Sequence, residues 1–132
     1  MSVTVSSLYI GLTAIMAVYF ALRVVKLRRR LKVGLGVDDQ PTLRLANRVH
    51  GNLIEHAPMA LILLLVAELN GLPHGYLHFL GLIWLLARVL HALGLTLGQG
   101  GYHVGRFWGV LLTWIVILTL SVVNIGYFII GA

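Results

Sequence analysis

Four stretches of the sequence are long and apolar enough to cross a bilayer, and three polar connections separate them. A bilayer core about 30 Å thick requires roughly 20 apolar residues in a helix. The hydropathy pattern predicts transmembrane helices at residues 5–25, 43–69, 76–97 and 107–130. Of the connections, Lys26–Pro41 is long and basic, Asn70–Pro73 makes a tight turn, and Leu97–Gly105 is rich in glycine. The pattern therefore predicts an all-α membrane protein with four transmembrane helices in an antiparallel bundle.

Composition supports this architecture and excludes several kinds of site. The chain is 59% hydrophobic and only 11% charged, whereas soluble domains are about 25% charged. We therefore expect residues 1–132 to form one multi-pass transmembrane domain in contact with membrane lipid. The absence of cysteine excludes disulfides, thiolate metal sites and a cysteine nucleophile. His50 and His56 do not have the spacing of metal-binding histidine motifs, so no metal site is predicted.

The net charge of +6 is concentrated at one end of the predicted bundle. By the positive-inside rule this end faces the cytoplasm, and both termini lie outside. A membrane-flanking cluster differs from the soluble basic face of a nucleic-acid-binding protein, so no nucleic acid partner is expected. The short connections and the lack of a retention signal favour a bacterial inner (plasma) membrane. The basic residues at this end are Arg23, Lys26, Arg28, Arg29, Arg30, Lys32, Arg44, Arg48 and Arg106.

Three polar side chains share one face of the predicted second helix. Arg48, Asn52 and Glu55 are separated by four and three residues. A charged side chain inside a bilayer costs at least a few kcal/mol, so it usually faces a partner, a cavity or a ligand. One interpretation is an Arg48–Glu55 ion pair with Asn52 bridging to another helix; the other is a binding site for a zwitterionic ligand. The sequence leaves both open, and Pro58, which would bend the helix nearby, slightly favours a cavity.

Two further groups of polar residues extend this candidate site. Arg88 and His91, three residues apart on the third helix, either stabilise the bundle, with Arg88 neutralising Glu55 or another buried acid, or donate to an anionic ligand. A histidine such as His91 is more often a satisfied polar residue than a ligand contact. Arg106 begins the fourth helix, where arginine commonly extends to the membrane interface. A cation at this position can also lower the pKa of a bound thiol, and the sequence does not decide between the two roles.

Taken together, these residues resemble the MAPEG family, membrane-associated proteins of eicosanoid and glutathione metabolism. The resemblance covers nearly the whole chain and implies a homotrimer of four-helix subunits. It also implies that glutathione binds between neighbouring subunits near the cytoplasmic face. The matching elements are Arg48-x-x-x-Asn52-x-x-Glu55 followed by Pro58, then Ala87-Arg88-x-x-His91, then Gly105-Arg106.

By this resemblance, the chain is a glutathione-dependent transferase or peroxidase acting on a lipophilic electrophile, with glutathione as co-substrate. Arg106 is the implied catalytic residue, because it stands roughly where the family's thiolate-stabilising arginine lies. Gly51, Leu95 and Phe107 depart from arginine, tyrosine and serine in some members, which argues against a specific eicosanoid synthase. The implied glutathione-binding residues are Arg28, Arg48, His50, Asn52, Glu55, Arg88 and His91.

Two other functions compete with this hypothesis. A non-catalytic lipid-binding or scaffolding membrane protein of the same fold would keep the polar cluster for structure alone. A small multidrug exporter has a similar size, but it is expected to have a proton-coupled carboxylate in its first helix and a weak orientation bias. Residues 5–25 contain no acid and the Lys/Arg bias is strong, so the exporter ranks third.

Overall fold

The computed structural model describes residues 2–131, which form four α-helices. Each of the four is long and apolar enough to cross a membrane, and successive helices run antiparallel, so the predicted all-α membrane architecture is confirmed. The end at which α1 and α3 finish and α2 and α4 begin is called the basic end below. The helices are α1 (Thr4–Leu31), α2 (Pro41–Leu69), α3 (His74–Leu97) and α4 (Val104–Gly131).

The first helix is longer than the hydropathy pattern predicts. The predicted span ends at residue 25, whereas α1 continues through the basic run to Leu31. Its 28 residues span about 42 Å at 1.5 Å per residue, which exceeds the apolar thickness of a bilayer. Cationic side chains also stabilise a helix C-terminus, and the last turn contains Arg28, Arg29 and Arg30. Hydropathy thus located the span but not the end of the helix.

The second and third helices form the centre of the bundle. Among the described residues, α2 and α3 each contact all three other helices, whereas α1 and α4 do not contact one another. The buried core includes Leu53, Leu64, Leu77, Trp84 and Leu120. The remaining faces of the outer helices are largely apolar, as expected where side chains meet lipid.

Glycines allow α3 and α4 to approach closely near the basic end. A Cβ atom on Gly94 would lie 2.0 Å from the backbone nitrogen of Arg106, and one on Gly109 would lie 2.5 Å from that of His91. Both distances are far below van der Waals contact, so no larger residue fits without separating the helices. This contact fixes Arg106 and His91 beside one another across the helix pair.

Polar contacts near the opposite end hold α1 against the bundle. Glu68 on α2 accepts hydrogen bonds from the backbone N–H groups of Val5 at 3.0 Å and Ser6 at 2.7 Å, and from the Ser6 hydroxyl. A carboxylate from one helix therefore caps the N-terminus of another. Further along α1, the Trp84 indole of α3 donates to the Thr13 hydroxyl at 3.0 Å. The sequence did not predict these contacts of Glu68 and Trp84.

Candidate functional site

A cavity of about 670 Å³ opens at the basic end of the bundle. This volume lies within the range of small-molecule sites in proteins, roughly 300–1,000 Å³. Residues of α1, α2, α3, the α3–α4 connection and the start of α4 line it, and no carboxylate is among the described residues of the lining. The cationic lining suits an anionic ligand. Its principal polar side chains are Arg23, Arg44, Arg48, Asn52, His91 and Arg106.

The structure brings half of the predicted site residues to this cavity. Four of them line it, namely Arg48, Asn52, His91 and Arg106. The other four, Arg28, His50, Glu55 and Arg88, lie outside its lining.

The cavity is also lined by Arg23 and Arg44, which in the sequence indicated membrane topology and were not predicted as site residues. The sequence could have predicted Arg44 as a site residue, since it precedes Arg48 by one helical turn and so shares its face. It could not have predicted Arg23, because the position of Arg23 at the cavity depends on how α1 is rotated against α2.

The arginine expected from the first loop has a local role in the single chain. The Arg28 guanidinium donates to the backbone carbonyl oxygens of Gly36 at 2.8 Å and Val33 at 3.3 Å. It therefore ties the loop after α1 to the end of that helix.

The two charged residues of the α2 cluster form the ion pair considered above. Arg48 Nη1 lies 3.2 Å from Glu55 Oε1, and the two side chains are 53% and 55% exposed. Ile54 and Met59 are also exposed on this side of α2. Glu55 lies midway along the 29 residues of α2, where a half-exposed charge would be unfavourable in lipid. The ion pair coexists with the cavity, so the two interpretations of the cluster are not exclusive.

Arg88 is buried behind the cavity. Its side chain is only 2% exposed, its Nη2 donates to Asn52 Oδ1, and its Nη1 donates to Thr113 Oγ1 at 3.1 Å. Glu55 forms its direct ion pair with Arg48, and Arg88 acts on Glu55 only across a longer distance. Asn52 does bridge α2 to α3, as the structural interpretation of the cluster required.

Arg106 stands between two different environments. Its Nη1 donates to the carbonyl oxygens of Gly100 at 2.6 Å and Gly101 at 3.3 Å, so it holds the glycine-rich connection. The same residue lines both the polar cavity and an apolar groove of about 390 Å³ beside α4. Phe107 and Trp114 are among the other residues of that groove. A polar ligand and an apolar one would therefore meet at Arg106.

Comparison with known proteins agrees with the resemblance read from these residues. The sequence profile of the MAPEG family matches residues 6–126. Inner membrane protein YecN of Escherichia coli K12 is 33% identical over 127 residues, which cover 93% of this chain and 92% of that protein. YecN of Escherichia coli O6:H1 strain CFT073 matches to the same extent. Its four helices that are long and apolar enough to cross a membrane, together with the similarity to an inner membrane protein, support an integral inner-membrane protein.

Proposed function

This chain is a member of the MAPEG family, and we propose that it is a glutathione-dependent transferase or peroxidase acting on a lipophilic electrophile. The main support is the position of Arg106 in both the cationic cavity and the apolar groove. Conjugation of a hydrophilic thiol to a membrane-dissolved electrophile requires the two to meet at one point. We place the reaction on the side predicted to face the cytoplasm.

Glutathione has the chemistry that the cavity requires. It has two carboxylates, which suit the arginines of the lining, because guanidinium groups bind carboxylates through paired hydrogen bonds. The cavity volume of about 670 Å³ accommodates a drug-sized molecule. Glutathione also has an ammonium group that needs an acceptor, and we assign Glu55 to it. Glu55 lies next to the cavity-lining Arg48 on the uncovered side of α2.

The proposed catalytic contribution of the protein is electrostatic and geometric. Glutathione supplies the nucleophilic sulfur, either to form a carbon–sulfur bond as a leaving group departs, or to reduce a peroxide while two glutathione molecules become the disulfide. The Arg106 guanidinium would favour thiolate over thiol, and each unit by which it lowers the thiol pKa corresponds to about 1.4 kcal/mol. Binding both reactants in one orientation would supply much of the remaining acceleration. No protein nucleophile is required.

A homotrimer would complete this site. The uncovered side of α2 has a half-exposed ion pair flanked by Ile54 and Met59, which are 46% and 57% exposed. A second copy packed there would remove the ion pair from lipid and enclose the cavity between subunits. Light scattering of the detergent-solubilised protein tests this proposal, and a monomeric mass would exclude it.

The proposed function is tested by calorimetry with glutathione in detergent, followed by turnover of a chloronitrobenzene electrophile. Arg106→Ala should lower kcat by about 100-fold, the usual effect of removing one charge-stabilising donor, and should weaken glutathione binding far less. Arg30→Ala is the matched control, because Arg30 is exposed and lies outside the cavity lining. Absence of glutathione binding by the wild-type protein would end the proposal.

A non-catalytic lipid-binding or scaffolding protein is the second candidate. It is favoured by the apolar groove beside α4 and by the hydrogen bonds of Arg106 to Gly100 and Gly101, which give this arginine a structural role. Glutathione binding without turnover, unchanged in Arg106→Ala, would support this candidate over the enzyme.

A further inference from the structure

We infer that Arg88 and Thr113 are positioning residues, which hold the Asn52 side chain with its NH2 group towards the cavity. The ligand group bound by Asn52 is then a hydrogen-bond acceptor, such as a carboxylate or carbonyl oxygen. This inference rests on the proposed function only for the identity of the ligand, glutathione. It replaces the direct contact with glutathione expected of Arg88.

The orientation of the Asn52 amide follows from the chemistry of arginine. A guanidinium group has N–H donors and no acceptor, and Arg88 Nη2 contacts the end of the Asn52 side chain. The reversed amide would place its NH2 donors against the donors of Arg88, so the oxygen must face Arg88. Asn52 also lines the cavity, whereas Arg88 does not. Its NH2 group is therefore the part available to a ligand.

Thr113 fixes Arg88 in the same directional way. The Thr113 hydroxyl donates to the carbonyl oxygen of Gly109 at 2.8 Å, so its oxygen is left to accept from Arg88 Nη1 at 3.1 Å. Thr113 is fully buried and Arg88 is 2% exposed, so solvent cannot replace either bond. The chain of hydrogen bonds runs from α4 through α3 to Asn52 on α2.

The charge of Arg88 adds a preference for an anionic acceptor. The ion pairs of the described chain are Arg44–Asp39 and Arg48–Glu55. Arg88 therefore has hydrogen bonds but no carboxylate in direct contact, and Glu55 acts on its charge only across a longer distance. A buried charge without a counterion in contact is unfavourable. A carboxylate bound to the Asn52 NH2 group would be separated from the Arg88 guanidinium only by the Asn52 amide, so its negative charge would partly neutralise Arg88. A ligand carboxylate should therefore bind there in preference to a neutral carbonyl.

Asn52→Asp distinguishes the proposed role of Asn52 in ligand binding from a purely structural role of this residue. Aspartate would give Arg88 its missing carboxylate, so the thermal unfolding temperature should equal or exceed that of the wild type. It would also remove the two N–H donors and repel a carboxylate, so glutathione affinity should fall by about 100-fold or more. Asn52→Ala should lose both stability and affinity.

Variants of Thr113 test the second positioning residue. Thr113→Val preserves shape but leaves Arg88 Nη1 without its acceptor, and should weaken glutathione binding about tenfold. Thr113→Ser restores the hydroxyl and should return the affinity to within about twofold of the wild type. Thr119→Val is the matched control, because Thr119 lies on the exposed side of α4 and its substitution should change neither quantity.

The outcomes are read from glutathione calorimetry and thermal unfolding of the same detergent-solubilised variants. Unchanged affinity in Asn52→Asp or Thr113→Val would overturn the inference, as would equal losses of stability in Asn52→Asp and Asn52→Ala. If the wild type does not bind glutathione, the proposed function fails. The comparison of stabilities alone then tests whether Arg88 holds the oxygen of the Asn52 side chain. In that case Asn52→Asp must still be at least as stable as the wild type.

Discussion

Substituting Gly94 with alanine should damage stability and the site together. The new Cβ would lie 2.0 Å from the backbone nitrogen of Arg106, where ordinary contact begins at 3.4 Å. The helices must therefore separate locally by about 1.4 Å, because a backbone atom cannot rotate away as a side chain can. Overpacking of this kind costs roughly 1–3 kcal/mol, occasionally more. It also moves Arg106 away from α3, and a displacement of about 1 Å in a catalytic site can lower the rate about 100-fold.

Gly126→Ala is the matched control for this prediction. Gly126 lies on α4, and a Cβ there meets nothing within 4 Å, so the change should be neutral or stabilising by up to about 1 kcal/mol. Both variants are compared with the wild type by fluorescence-detected thermal unfolding and by glutathione-dependent turnover. If Gly94→Ala were as stable and as active as Gly126→Ala, the close α3–α4 contact would not be what places Arg106.

Two further predictions concern residues that the sequence did not point to. Arg23→Ala should weaken glutathione binding several-fold at low salt and flatten its dependence on ionic strength, because the charge of the partly exposed Arg23 is screened by salt. A titration at several salt concentrations tests this against Arg30→Ala. Glu68→Ala should destabilise the fold by roughly 1–3 kcal/mol, because two backbone donors of α1 lose their buried acceptor. Its glutathione affinity should be unchanged, since Glu68 lies at the opposite end from the cavity, and a matching loss of affinity would contradict that separation.

Helix periodicity predicted the polar cluster of α2 but not which of its members line the cavity. Each residue turns an α-helix by about 100°, so the three steps from Asn52 to Glu55 leave their side chains about 60° apart. That angle lets Asn52 line the cavity while Glu55 lies on the uncovered side of the helix. Spacing alone placed them on one face, and the packing of α3 against α2 was needed to tell them apart.

Contacts between helices explain the rest of what the sequence left out. Thr113 meets a residue 25 positions away and Glu68 meets one 62 positions away, and no local pattern joins such pairs. Hydropathy predicts that a segment spans the membrane, but it does not give the rotation of one helix against the next. Here that rotation is set partly by Gly94 and Gly109, whose lack of a side chain determines which faces of α3 and α4 meet.

Two of the arginines that line the cavity already have partners within the chain, and this limits how tightly glutathione can bind. Arg48 pairs with Glu55, and Arg106 donates to Gly100. A ligand must therefore replace internal hydrogen bonds with its own. Each replacement contributes a net free energy of about 0.5–1.5 kcal/mol, whereas a hydrogen bond formed without any exchange is worth several kcal/mol. About five such replacements contribute roughly 2.5–7.5 kcal/mol, which is less than the roughly 8 kcal/mol of a Kd of about 1 μM even before the entropy of association is subtracted, so we expect a Kd weaker than about 1 μM. A nanomolar Kd measured by calorimetry would mean that these internal bonds are not the ones the ligand replaces.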